Sequence, residues 1–401
     1  MSINIKRIRN ETPGCKHVIH LNNAGAALMP ENVLSSIKGY LELELRIGSY
    51  EVEERACEAI ERVYSSIAKL LGCGASEVAI TESATRAWNL SSQAIPFLPG
   101  DKILTTESEY INNYITLLEI AKKTGAQVEI LPKDEHGQVS LEVLTKKIDD
   151  KVKLISITYV PVNEGLINPA IEIGKIAKQA GILYILDASQ AIGQFPISVK
   201  EIGCDILCAT GRKFLRGPRG IGFLYIREEI FPSLERPFFE LNPSAFSSKE
   251  NNTNFPDIRR FENTESNPAN RIGLGAAIDY AINIGISNIW QRIRSLTSLM
   301  KKNLESLPEI KLQDQGLHQC GIITFTVKGM CEEILQKKLI RKHINVSIST
   351  IEDGHLNMKF RNLKKVIRIS IHYYNSEEEI KHFCNTLTEI YAKYSSSSNK
   401  V

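Results

Sequence analysis

No apolar run in this chain approaches the ~20 residues that a membrane-spanning helix needs, so no membrane partner is expected. The opening residues, MSINIKRIRNETPGCKH, are polar and lack the apolar centre of a secretion signal. Charge imbalance is nearly absent as well. The 49 lysines and arginines face 46 aspartates and glutamates, a formal net charge of +3 over 401 residues. So small a surplus gives no electrostatic footprint for nucleic acid. Nor is there a cysteine array. The eight cysteines, at 15, 57, 73, 204, 208, 320, 331 and 384, match neither a disulfide scaffold nor a zinc site. No metal is expected, and a reduced, cytoplasmic setting is. Cys204 and Cys208 lie among apolar neighbours and read as small core residues.

What is present is an ordinary globular composition, 43% hydrophobic and 24% charged. The length exceeds one typical compact core and suggests a large domain plus a smaller one.

Two stretches carry chemistry. The first, DILCATGRKFLRGPRGIGFLYI at 205–226, opens and closes on apolar runs that read as buried strands. Between them TGRKFLRGPRG holds Lys213, three arginines and flanking glycines. Such a turn makes a poor core and presents an amine well. The second, ILYILDASQ at 182–190, is an apolar strand ending in Asp187, with Gln190 three residues on. In a parallel sheet both strand ends open on one edge, where ligands bind. An amine and a carboxylate there suit pyridoxal 5′-phosphate (PLP). The amine attaches the cofactor, and the carboxylate keeps its ring nitrogen protonated so that the ring draws electrons.

The rest of the chain supports such a sheet. LNNAGAALMP at 21–30 reads as a loop, and 31–72 as two amphipathic helices. VAITESATRAWNLSSQAI at 78–95 reads as strand, turn and helix start. Ser83, Ala84 and Thr85 place hydroxyls and backbone N–H groups there, which suits a phosphate and equally an ordinary cap. Segments 101–125, 126–148, 153–181, 182–190 and 205–226 make repeated βα units. Residues 242–258 are polar and read as a long loop, a candidate lid. Residues 259–285 enter a helix, and 286–395 alternates helices with short strands at 321–327, 344–349 and 366–372. The expected fold class is α/β. A large domain at 21–285 surrounds a mainly parallel sheet of the seven-stranded type. Residues 1–20 and 286–395 form a small α+β domain, and 396–401 a disordered tail.

DASQ followed by TGRKFLRGPRGIGFLY resembles the class V aminotransferase family of fold-type I PLP enzymes. That family includes cysteine desulfurases, selenocysteine lyases, isopenicillin N epimerase-like enzymes and the C–S lyases of ergothioneine synthesis. The likeness runs from LNNAG at 21–25 to IRISIHYYNSEEEI at 367–380. It implies a homodimer with each site at a subunit interface, acting on a small amino-acid substrate. By this resemblance Lys213 holds PLP and moves protons at the substrate α-carbon, and Asp187 pairs with the ring nitrogen. Gln190 and Asn163, the latter in VNEG, lie near the phenolic oxygen. Ala84, Thr85, Thr210 and Arg212 bind the phosphate. Tyr110 stands where many members carry histidine and stacks on the ring, a task that needs only a flat π surface. Arg368 clamps the substrate carboxylate. Asn23, with Asn22 and Gly25, passes the site on the substrate side.

The chain departs from the desulfurases twice. Their phosphate-binding threonine, offered across the dimer, falls on Glu265, which cannot cradle a dianion; Arg212 supplies compensating charge. Their sulfur-accepting cysteine lies upstream of the Arg368 strand, and here 345–366 contains none. Cys331 is expected on an earlier helix and Cys384 on a later one. The leading expectation is therefore a C–S lyase working by β-elimination on a cysteine conjugate or sulfoxide. Transamination or epimerisation on the same site is the alternative. A persulfide-relay desulfurase and a non-catalytic fold member rank below both.

Overall fold

LYILD and ILCAT, apolar but for their last residues, become neighbouring strands covered on both faces, as parallel strands flanked by helices must be. The computed structural model describes residues 3–235, 258–352 and 355–398. The expected loop at 242–258 lies, except for Ile258, outside the described residues. The first eight strands are β1 (Ile19–His20), β2 (Val78–Thr81), β3 (Lys102–Thr106), β4 (Gln127–Leu131), β5 (Val152–Thr158), β6 (Leu183–Asp187), β7 (Ile206–Thr210) and β8 (Gly222–Ile226). Five follow: β9 (Ile310–Leu312), β10 (Ile322–Val327), β11 (Ile344–Asn345), β12 (Ser347–Thr350) and β13 (Lys365–Ser370).

Seven strands form one sheet in the order β2-β8-β7-β6-β5-β3-β4. All its pairings are parallel except those of β8, which runs against both β7 and β2. Side chains alternate between the two faces. Ile155, Leu186 and Leu207 join a core with Ile173 and Phe195. Leu154, Ile185 and Ile206 point to the other face, against Trp88 and Leu117. Each fully buried Leu or Ile contributes roughly 1.5–3 kcal/mol. The fold is α/β and mainly parallel, as the sequence suggests.

A second, antiparallel sheet, β12-β13-β10-β9, packs its core residues Phe325, Ile367 and Ile369 with Met300 and Phe383 of the helices Ile286–Glu305 and Glu377–Ser398. Among the described residues no single helix is long and apolar enough to cross a membrane.

Local differences have local causes. The region 31–72 forms three helices rather than two, with breaks at Gly48 and Ala56. The strand expected at 344–349 divides at Val346 between two sheets. The last helix runs to Ser398, past the expected start of the tail at 396. Ser395 and Ser396 donate their hydroxyls to Ala392 O at 3.1 and 2.8 Å, which prolongs the helical turn.

Candidate functional site

Asp187 ends β6 and Thr210 ends β7, and their parallel pairing (Asp187 opposite Cys208) opens both ends on one edge of the sheet. The chain then turns through Gly211, Arg212 and Lys213 before β8 returns antiparallel from Gly222. Gly222 allows a close approach. A Cβ there would lie 2.6 Å from Ala209 O and 2.7 Å from Ala84 N. The N-terminus of the helix Ala84–Gln93 is thus brought against the lysine turn. Behind the turn, Gly193 (φ +85°) lets the chain pass within 2.5 Å of Phe214 C as measured from a built Cβ. No side chain could stand there.

These elements enclose a cleft of about 250 Å³. Lys213, Asp187, Gln190, Thr210, Arg212, Ala84, Thr85 and Tyr110 all line it. Sequence reading passed over four further polar or charged lining residues, Ser189, Thr158, Arg219 and Glu82. Arg219 was visible as a third arginine in a Gly/Pro turn, with nothing in the spacing to aim it.

Lys213 is 9% exposed. Burial pushes its amine from the ordinary 10.5 down to about 7; Arg212 and then Arg368 act in the same direction, and Asp187 opposes them. The amine is therefore much more readily deprotonated than an exposed lysine. Asp187 Oδ1 accepts the Ser189 N–H at 2.9 Å, and Oδ2 accepts from Asn113 Nδ2 at 3.0 Å. Arg212 Nη1 donates to Thr210 Oγ1 at 3.2 Å, and burial followed by the nearby Arg219 lowers the Arg212 guanidinium below its usual value. Tyr110 precedes the helix Ile111–Thr124, and its hydroxyl accepts from Asn112 Nδ2 at 3.2 Å.

Three expected residues stand behind the wall rather than in it. Asn163 is buried, and its Nδ2 has no hydrogen-bond partner among the described residues. The same holds for Ser189 Oγ and Gln190 Oε1. Gln190 Nε2 donates to Ala24 O at 3.1 Å, which brings the LNNAG loop beside the cleft. Arg368 Nη1 donates to Val162 O at 2.8 Å, on the loop that carries Asn163. Asn23 is fully buried. Its Nδ2 donates to Ser370 O at 2.6 Å and His20 O at 3.3 Å, and its Oδ1 accepts from Tyr374 OH. That amide is committed to joining the N-terminal loop to β13.

Residues 19–383 match the family described as Aminotransferase class-V. The chain belongs to that family. It is a PLP-dependent enzyme of fold type I, as the class V likeness implies. A probable cysteine desulfurase of Pyrococcus abyssi is 29% identical, over 97% of this chain and 98% of that one. Another from Synechocystis sp. is 30% identical over 92% and 90%. Among solved structures, the apo cysteine desulfurase of Thermococcus onnurineus NA1 superposes with a TM-score of 0.88 at 28% identity, covering 97% and 98%. The cystine C–S lyase C-DES, solved with its product cysteine persulfide, shares the fold at a TM-score of 0.84 and 22% identity, covering 94% and 98%.

Two further class V expectations meet the geometry here. Glu265 is exposed and does not line the cleft of its own chain. Cys331 lies just before the helix Glu332–Ile340 as its N-cap, not on a helix, and Cys384 lies on the helix Glu377–Ser398 as expected.

One buried cation completes the surroundings. Arg216, at φ 64°, donates through Nε to Leu28 O and Nη1 to Tyr373 OH, each at 2.8 Å, and through Nη2 to Thr12 Oγ1 at 2.5 Å. Its guanidinium lies 4.6 Å from the Tyr374 ring centre and 5.2 Å from that of Tyr373.

Proposed function

We propose that this enzyme cleaves the C–S bond of a cysteine conjugate or sulfoxide by β-elimination, without a protein thiol. The residues fit the cofactor. Ser189 Oγ, Gln190 Oε1 and Asn163 Nδ2 are buried polar atoms that find no hydrogen-bond partner among the described residues. Bound PLP supplies an electron sink at the substrate α-carbon.

The chain's own residues take these parts. The Lys213 amine anchors the cofactor and carries the proton removed at Cα, a task suited by the burial that lowers its pKa. Asp187, held by two N–H donors, is the carboxylate that would pair with the ring nitrogen and keep its proton there. Ala84 and Thr85 offer N–H groups at a helix N-terminus, and Thr210, Arg212 and Arg219 add a hydroxyl and two cations for the phosphate. Tyr110 covers the ring face. Asn163 and Gln190 serve the phenolic oxygen. Arg368 orients the substrate carboxylate, and Asn23 serves as a brace. The protein works as a homodimer, and full activity from a monomer would count against that.

The observation that carries the reading is the absence of a thiol at the cleft. No cysteine lines it, and 345–366 has none. Cys331 is exposed and donates to Glu333 Oε2 at 2.7 Å. Cys384 is buried 3.9 Å from the Met300 sulfur, with burial pushing its thiol up to about 11. In elimination the Cα–H proton passes to Lys213 and the C–S bonding pair leaves with sulfur. After hydrolysis the products are pyruvate, ammonia and a thiol from a cysteine conjugate, or a sulfenic acid from its sulfoxide. The second reading is a cysteine desulfurase, favoured by the names of the relatives at 29–30% identity.

Replacing Cys331 and Cys384 together by Ser separates the two. Turnover within about three-fold of wild type, with pyruvate and ammonia as products, supports elimination. A persulfide trapped on either residue, or lost activity with fold and cofactor intact, supports the desulfurase. A D-amino acid product would indicate epimerisation, and a keto acid that requires an acceptor transamination.

A further inference from the structure

Beneath the cleft, one amide lies between two buried carboxylates. Asn113, on the helix Ile111–Thr124, is fully buried. Its Nδ2 donates to Asp187 Oδ2 at 3.0 Å and to Glu109 Oε1 at 3.1 Å. Both amide hydrogens are used. Turning the amide over would set its oxygen against two carboxylate oxygens, so one orientation is strongly preferred.

Glu109 is held as firmly. The hydroxyls of Thr105 (3.0 Å), Ser156 (2.9 Å) and Thr158 donate to it, as does the Tyr110 N–H at 2.9 Å. Burial raises its carboxyl above the usual range; the hydrogen bonds from Thr158, Asn113 and Ser156 oppose the rise, and the nearby Asp187 charge adds to it. Neither Glu109 nor Asn113 lines the cleft; Asn113 reaches it through Asp187, and Glu109 also borders it through Thr158 and Tyr110. The signal in sequence is only an asparagine in the first turn of a helix, four residues after a glutamate that precedes that helix; the fold alone reveals the shared partner.

We propose that Glu109 and Asn113 form a positioning relay: Glu109 fixes the amide, and the amide fixes the Asp187 carboxylate toward the cofactor's ring nitrogen. The proposal rests on Asp187 being the partner of that nitrogen. An N–H donated to a carboxylate favours its ionised form, so losing this donor weakens the hold of Asp187 on the ring proton.

The test uses the holoenzyme loaded with PLP carrying ¹⁵N in the ring, and reads that nitrogen's chemical shift. Asn113→Leu should move the signal toward the unprotonated position and lower kcat by about 10-fold, with KM changed less than about three-fold. Glu109→Gln keeps an acceptor oxygen for Asn113 and should retain the wild-type signal. If Asn113→Leu fails to fold, Asn113→Ser removes the same donor without bulk and should give the same shift. A wild-type signal and turnover in whichever of these two variants folds and holds cofactor overturns the relay alone. An unprotonated ring nitrogen in the wild-type holoenzyme overturns the role of Asp187, and the relay with it.

Discussion

A buried lysine that must serve as a base should weaken the fold that holds it, and Lys213→Met measures by how much. The unfolded chain keeps this proton up to about 10.5, whereas the folded chain releases it at about 7. Between those values the unfolded state binds one more proton, so raising the pH stabilises the fold. Below pH 7 both states are protonated, and the folded one carries a charge it has desolvated. The difference between 10.5 and about 7 corresponds to about 5 kcal/mol at ~1.4 kcal/mol per pH unit. Relaxation around the charged amine absorbs part of this, leaving an expected gain of about 2–4 kcal/mol on removing it. Methionine fills the volume with no charge. The assay is urea unfolding of both proteins, cofactor removed, at several pH values from 6 to 10. Lys213→Met should be the more stable at pH 6–7, and the gap should close as the pH approaches 10. A gap independent of pH, or a variant less stable than wild type at pH 6, would refute the argument that desolvation sets the amine.

Three other outcomes follow from the same geometry. Asp187→Asn should retain cofactor, measured by its visible absorbance, yet slow turnover at least about 100-fold; near-normal turnover would remove Asp187 from its role. Arg368→Ala should raise the KM for an amino-acid substrate by about 10-fold or more while leaving cofactor content unchanged, since the lost interaction is a carboxylate clamp. Arg216→Met leaves Leu28 O, Tyr373 OH and Thr12 Oγ1 without their buried donor, and should cost about 3 kcal/mol in unfolding experiments; a loss under about 1 kcal/mol would mean that solvent replaces it.

The large sheet was legible because central parallel strands are covered on both faces and so appear as unbroken apolar runs. The strand ends at Asp187 and Thr210 could be placed on one edge for the same reason. Lys213 followed from those ends. The relay was not legible. Glu109 and Asn113 lie 74 or more residues from Asp187 in the chain, and only the pairing order β6-β5-β3 brings their helix beneath it. Asn23 illustrates the converse. Its position near the cleft was readable, but its commitment to Ser370 and Tyr374 depends on a strand nearly 350 residues away. The three helices at 31–72 and the helical end at Ser398 turn on breaks and serine back-bonds too local for periodicity to register.

Arg216 bears on when the protein can become an enzyme. Its three hydrogen bonds reach residues 12, 28 and 373, so the lysine turn is tied at once to the beginning of the chain and to a residue near its end. Such long-range closures form slowly and late. During synthesis the turn at 211–217 emerges well before Tyr373 and Tyr374, and its arginine then has Thr12 and Leu28 to donate to but not the tyrosine hydroxyl. Lys213 accordingly reaches its final setting only after the last strand is made.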